Sequence, residues 1–173
     1  MAELRQQRPR ILKERHGLVN FVETGTRAGY GLDTACRLGF ATCLSCEIDP
    51  RLAADASERF PKATVWCADS LSFLEAVLPM LKGPTLFWLD AHKRFADIGP
   101  DEDMRVAWPV LHEVDLIRRL RNSAVAGDVL LCDDLRGKPK FAWGVATRLS
   151  RTHCAQAGPT ACVAYLPREG PWT

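Results

Sequence analysis

The sequence predicts a single α/β domain with a doubly wound, mostly parallel sheet of seven strands flanked by helices. Two observations carry this. Short apolar runs alternate with helical patterns along the chain, the signature of a parallel sheet whose strands are joined by crossover helices. The 173 residues, 47% apolar and 25% charged, suffice for one sizeable core and show no repeat, linker or low-complexity tract that would divide it.

The elements follow in order. Residues 1–17 read as a solvated N-terminal helix whose arginines and lysines carry no apolar segment, so it is not a secretory signal. The first strand is Leu18 to Glu23 (LVNFVE), followed by a glycine-rich turn, Thr24 to Gly31, and a helix over 32–38. The second strand runs over 43–48. Asp49 suits an N-cap and Pro50 the first helical position, with Leu52, Ala56 and Phe60 as the buried stripe. A third strand covers 64–68, and Ser70 can cap the next helix, where Leu74, Val77, Leu78 and Leu81 share a face and Pro79 kinks or ends it. The fourth strand is Thr85 to Asp90 (TLFWLD). A polar stretch over 91–107 reads as a loop or lid that closes with Phe95 and Trp108 over a ligand, before a helix over 108–120. A fifth strand at 128–132, a loop at 133–140, a helix over 141–151, short strands near 152–155 and 161–166 that form an antiparallel pair, and a tail at 167–173 complete the chain.

Bulk properties narrow the function classes. A net charge of +2 demands no nucleic-acid partner, and no apolar run approaches the ~18 residues of a membrane span. Seven cysteines, an odd number, sit mostly inside apolar runs, as expected of free thiols in a reducing cytoplasm. Cys43 and Cys46 form a CxxC, but in a strand a spacing of three points side chains to opposite faces, against a zinc or redox role.

The chemistry concentrates at the strand ends, where open parallel sheets bind ligands. Glu23, Glu47, Asp69, Asp90 and the pair Asp133–Asp134 end five successive strands, and a core strand has no packing reason to end in acid. Taken singly, each acid reads as a helix cap or turn residue. The turn ETGTRAGYG has the spacing G-x-x-x-G-x-G (Gly25, Gly29, Gly31) rather than the G-x-G-x-x-G that cradles a pyrophosphate. A carboxylate before it would repel phosphate and suit a cationic ligand. Glu47, 22 residues beyond Gly25, can accept both hydroxyls of a ribose, and Asp69–Ser70 could reach an adenine amino group.

The ordered phrases ETGTRAGYG, CEIDPRLAADA, FWLDAHK and LLCDDLR resemble class I S-adenosylmethionine-dependent methyltransferases, most closely the metal-dependent catechol O-methyltransferase-like group, over about residues 18–136. FWLDAH also looks like a branch of small methyltransferases for which no catechol substrate is implied. The resemblance implies a Rossmann-like fold and places Glu23, Gly25, Thr26, Gly29, Tyr30, Glu47, Ile48, Asp69, Ser70 and Asp90 around the cofactor. It implies a magnesium ion or another divalent cation on Asp90, Asp133 and Asp134, the last an Asp where the family usually has Asn. Lys93 stands where the family places its general base. His92 competes, with an ordinary pKa nearer neutral. The implied reaction is methyl transfer to a small-molecule hydroxyl. A metal-independent methyltransferase and a nonenzymatic module of the same fold are the rivals, and monomer and homodimer stay open. A nucleotide-dependent oxidoreductase is disfavoured by the glycine spacing. The chain departs from the family by its short N-terminus and short last strands.

Overall fold

A computed structural model describes residues 9–93, 98–121, 127–133, 145, 156–157 and 163–165. Its centre is a mostly parallel five-stranded sheet flanked by helices. The strands are β1 (Asn20–Thr24), β2 (Thr42–Glu47), β3 (Thr64–Cys67), β4 (Thr85–Leu89) and β5 (Val129–Cys132), in the spatial order β3-β2-β1-β4-β5. The chain lays down β1 to β3 outward in one direction and returns to place β4 on the other side of β1, with Thr24 opposite both Cys46 and Leu89. The order therefore reverses between β1 and β4, and a crevice opens beyond their carboxyl ends. Two short segments, β6 (Gln156–Ala157) and β7 (Val163–Tyr165), pair antiparallel beyond β5. The expected helix over 141–151, the loop residue Phe95 and the tail lie outside the described residues, apart from Val145, which is helical.

Alternation within the strands builds two cores. On one face Val22, Cys46, Phe87, Leu89 and Leu130 meet helices α4 (Ser70–Val77) and α6 (Val110–Leu120) through Phe73, Leu74, Val77, Val114 and Ile117. On the other, Phe21, Cys43, Trp88 and Leu131 meet α2 (Tyr30–Leu38) through Leu32 and Ala35, with Leu12 of α1 (Pro9–His16) against them. β1, β4 and β5 are buried along their whole length, as strands covered on both faces must be. Cys43 and Cys46 fall in different cores, which confirms that their spacing separates them. Cys67 departs from the expectation of buried thiols. It is exposed because β3 is the edge strand and lies half in solvent.

Local chemistry sets the helix starts. Asp49 Oδ1 accepts from the N–H groups of Arg51 at 2.8 Å and Leu52 at 3.5 Å, with Pro50 in the first turn of α3 (Pro50–Arg59). The expected stripe of α3 holds at Ala56 and at Phe60, which packs against the second core, and is corrected at Leu52. Ala53 and Ala56 face the sheet, while Leu52, one position from Ala53 and so turned about 100° around the axis, is 38% exposed. At α4 the cap is Asp69 rather than Ser70. Asp69 is extended and accepts from Leu71 and Ser72, whereas Ser70 is already helical and buried. Pro79 ends α4 in a 3₁₀ turn, Leu78–Met80, as its missing donor requires. The stretch over 91–107 holds a short helix, α5 (Met104–Ala107). Trp108 is not part of a lid, for its indole is 3% exposed and packs in the core. No helix among the described residues is long and apolar enough to cross a membrane.

At the amino ends of β4 and β5, opposite the crevice, Arg121 organises a buried polar ring. It donates through Nη1 to the Leu81 carbonyl at 2.7 Å, through Nη2 to the Gly83 carbonyl at 2.7 Å, and to both oxygens of Asp128 at 2.9 and 3.0 Å. Asp128 also accepts the Thr85 N–H at 2.8 Å. The side chains are 5% and 12% exposed, so removing one partner strands a buried charge. Arg121→Ala is expected to lower stability by about 3–5 kcal/mol in urea unfolding, whereas Arg37→Ala, an exposed pair with Asp33, should change it by less than about 1 kcal/mol.

Candidate active site

The crevice is a cleft of about 770 Å³ at the carboxyl ends of β1, β2, β3 and β4, within the size range of ligand-binding pockets. Gly25, Glu47 and Ile48 line one part of it and Asp69 and Ser70 another, while Asp90, His92 and Lys93 lie towards β4. The structure thus brings eight of the sequence-predicted residues to one cavity.

The glycine turn shapes the floor. Gly25 has φ +82°, and a Cβ built on it would stand 2.7 Å from the Asp90 carbonyl oxygen and 2.9 Å from Ala91 Cα. A side chain cannot occupy that space, so this position requires glycine on both counts. The N–H groups of Gly25 and Thr26 both donate to the Cys46 carbonyl at 3.0 Å, and the Thr26 hydroxyl is bonded to Ser45 at 2.6 Å.

Four of the residues expected around the cofactor stand outside the lining. Thr26 is buried in those hydrogen bonds. Gly29 caps α2 and Tyr30, in the first turn of that helix, is 64% exposed. Glu23 lies beneath the turn, 1% exposed, accepting from the Ser45 hydroxyl at 2.7 Å, and so close to α2 that a Cβ on Gly31 would overlap Oε1. Burial pushes its carboxyl up to about 8, the Ser45 hydrogen bond opposing and the Glu47 charge adding to the rise. The group expected to attract a cationic ligand is therefore a neutral acid at pH 7 that supports the turn from below.

Glu47 is held differently. Its Oε2 accepts the Arg27 N–H at 2.7 Å and its Oε1 the Asp49 N–H at 3.0 Å, so two backbone donors fix the carboxylate at the cleft wall with acceptor capacity to spare. Burial acts to raise Asp69, but the hydrogen bonds from Ser72 and Leu71 prevail and hold it below the usual carboxylate range.

Towards β4, His92 packs on Trp108 with ring centroids 4.3 Å apart, and its Nδ1 lies 3.6 Å from Asp90 Oδ1. Lys93 is half-exposed, and its ammonium is paired with Glu102. Asp133 is buried at the end of β5, its N–H bonded to the Leu89 carbonyl at 3.0 Å, so it stands beside the strand that leads to Asp90. Asp134 lies outside the described residues. Among the described residues no three His, Cys, Asp or Glu side chains are grouped to hold a metal ion.

Several residues of the site escaped the sequence reading. Leu52 and Arg105 line the cleft. So does Arg27, whose backbone has φ +45°. Glu113 is 1% exposed on α6, its carboxyl pushed up to about 7 by burial against the opposing hydroxyls of Ser70 and Thr24. Its signal was present, because Val110, Glu113, Val114 and Ile117 form one stripe and an acid in an apolar stripe marks a buried polar contact.

No family profile matches the chain, and no curated protein matches it by sequence. Its fold is that of S-adenosylmethionine-dependent methyltransferases. Solved structures similar to it include the O-methyltransferase from Bacillus cereus in complex with S-adenosylhomocysteine, at 14% identity over 96% of this chain and 82% of that one, with a TM-score of 0.63. The S-adenosylhomocysteine-bound methyltransferase PaMTH1 from Podospora anserina shares 16% identity over 98% and 80%, with a TM-score of 0.64. The N-methyltransferase NodS from Bradyrhizobium japonicum shares 15% over 95% and 86%, with a TM-score of 0.55. At these identities the likeness shows the fold.

The two buried acids predict a pH dependence. In the unfolded chain both release their protons near pH 4.5, while the folded chain keeps them to about 7 (Glu113) and about 8 (Glu23). The folded state binds more protons in that window, so stability falls as pH rises through it and levels off above it. Each group contributes at most about 1.4 kcal/mol per pH unit. Urea unfolding between pH 5 and 9 should show the fall. Glu113→Gln should about halve the fall below pH 7, where both acids contribute, and Glu23→Gln should remove its own share there together with the part that extends to pH 8.

Proposed function

We propose that this chain is an S-adenosylmethionine-dependent methyltransferase that acts on a small-molecule hydroxyl. The observation that carries the reading is Glu47. It stands at the end of β2, beside the point where strand order reverses, with both oxygens oriented by backbone donors. That arrangement suits the two hydroxyls of a ribose. Ile48, Leu52 and Leu71 supply apolar walls beside it for the adenine ring, and Asp69–Ser70 polar groups at its edge. Glu47, Asp69 and Asp90 place three carboxylates in a lining that also holds Arg27, Lys93 and Arg105, and carboxylates there suit a sulfonium and an ammonium group. The fold shared with cofactor-bound methyltransferases supports the same reading, and the short pair β6–β7 beyond β5 agrees with the seven-stranded form of that fold.

Catalysis in this reading is mainly positioning of the acceptor oxygen in line with the methyl carbon. Two side chains stand where they can take the acceptor proton. His92 is nearly buried and oriented by Asp90 and Trp108. Lys93 is half-exposed and engaged by Glu102, and it serves only after desolvation and release. The carboxylates Asp90 and Asp133, at adjacent strand ends, are hard oxygen ligands of the kind magnesium prefers, and Asp134, the next residue in the chain, would be the third. An ion there would favour the deprotonated acceptor. A methyltransferase that works without a metal, with these acids structural, is the second reading.

Calorimetric titration with S-adenosylhomocysteine tests the cofactor site. Glu47→Ala is expected to weaken binding by about 1.5–3 kcal/mol, the range for hydrogen bonds to a charged group, and unchanged affinity would remove Glu47 from the ribose. A methyl-transfer assay over a panel of hydroxyl acceptors tests the chemistry. Excess chelator should abolish turnover and magnesium restore it, with full activity in chelator selecting the second reading. In the same assay, loss of the base should slow turnover by about 10²–10⁴, and the larger loss between His92→Ala and Lys93→Ala identifies it.

A further inference from the structure

Two helices meet beneath the cleft, each with one break in its apolar stripe. The buried face of α4 is Ser70, Phe73, Leu74 and Val77, and that of α6 is Val110, Glu113, Val114 and Ile117. The apolar members of both stripes pack together in one core. The polar member of each meets the other, the Ser70 hydroxyl donating to the Glu113 carboxyl. Helix packing alone does not ask for this acid. Glu113 is 1% exposed, and its Oε1 has no hydrogen-bond partner among the described residues. A buried polar atom in that state costs stability, and a leucine would continue the stripe without that cost. Of the two hydroxyls that face the carboxyl, Thr24 is buried at the end of β1, whereas Ser70 leads up to the cleft.

Ser70 is the first residue of α4 and lines the cleft beside Asp69, the residue that caps the helix. Asp69 Oδ1 accepts from the Leu71 and Ser72 N–H groups at 3.0 and 2.9 Å, so the carboxylate moves with the first turn of α4. An ionised carboxylate offers acceptors and no donor. At the base edge it suits the amino group of a 6-aminopurine and opposes the carbonyl of a 6-oxopurine. That choice depends on where the turn stands, and Ser70 ties the turn to the helix beneath it. We infer that Glu113 is a specificity-determining positioning residue, which holds Ser70 from below, sets Asp69 against the base edge of the methyl donor and so selects a 6-aminopurine. Glu113 does not line the cleft, and it acts through Ser70. This rests on the reading of the cleft as an S-adenosylmethionine site.

Two probes differ only at that edge: S-adenosylhomocysteine, with a 6-amino group, and S-inosylhomocysteine, with a 6-carbonyl. In calorimetric titrations of the full chain, the parent should prefer the first by about 10- to 100-fold, the range for a hydrogen bond to a charged group. Glu113→Leu should reduce that preference to within about threefold, mostly through weaker binding of S-adenosylhomocysteine. Glu113→Gln, whose amide oxygen can still accept from Ser70, should keep most of it. Ser70→Ala breaks the same link from the other side and should give a similar loss, and the double variant should lose no more than either single one. An unchanged preference in folded Glu113→Leu overturns the inference, and so do losses that add in the double variant. If Glu113→Leu fails to fold, Ser70→Ala carries the test, and an unchanged preference there overturns the inference equally. Equal weakening of both probes would give Glu113 a purely structural role and also overturns it. A parent that binds S-adenosylhomocysteine without preferring it overturns the inference and leaves the cofactor reading standing. A parent that binds neither probe removes that reading, and the inference with it.

Discussion

The contact between Gly25 and the backbone of Asp90 and Ala91 is the constraint on which the site depends. β1 and β4 are neighbours in the sheet but 61 residues apart at Thr24 and Thr85, and the chain leaving β1 must turn across the end of β4. A backbone approach of this closeness excludes any Cβ. It brings the turn down to the sheet and leaves the space above the strand ends open. Glu23 below and Thr26 alongside then fix the turn's height, and β2 brings Glu47 to its flank. The cleft is what remains when the turn is held that low.

Much of this was legible because it rests on local rules. The strands are short apolar runs, and acids following such runs sit at sheet ends in any parallel fold. Asp49–Pro50 and the stop at Pro79 are likewise one-residue signals with a fixed backbone meaning. What sequence could not show depended on a rotation or a partner. Asp69 and Ser70 are both good caps, and only the backbone angles distinguish them. Leu52 and Ala53 are both apolar, and which faces the sheet depends on where α3 begins on the rim. Arg27 in a turn looks like any exposed arginine until its φ is known. Glu113 could be suspected from its stripe, but its contact with Ser70 and Thr24 joins three separate elements.

The acids divide by environment in a way that a sequence pattern does not reveal. Glu23 and Glu113 sit below the surface and hold protons near neutrality, so the floor is largely uncharged. Glu47 and Asp69 each accept backbone N–H groups at the cleft wall, and for Asp69 these bonds hold the carboxyl below the usual carboxylate range. Five strand ends carrying acid therefore do not make five negative charges. Charge is kept at the cleft wall, where a ligand can neutralise it, and suppressed beneath, where nothing could.

The ring around Arg121 lies at the opposite end of β4 and β5 from the cleft. It joins the segment after α4, the start of β4, the end of α6 and the approach to β5 through buried bonds. Opening that end would require breaking all of them together, whereas the rim segments around the cleft are exposed and held by a few surface pairs. Amide exchange should therefore form a gradient along the strands, slow at Thr85 and faster towards Lys93. The molecule can loosen its rim to admit and release ligands while the sheet stays closed, so local opening and global unfolding are drawn from different parts of the same fold.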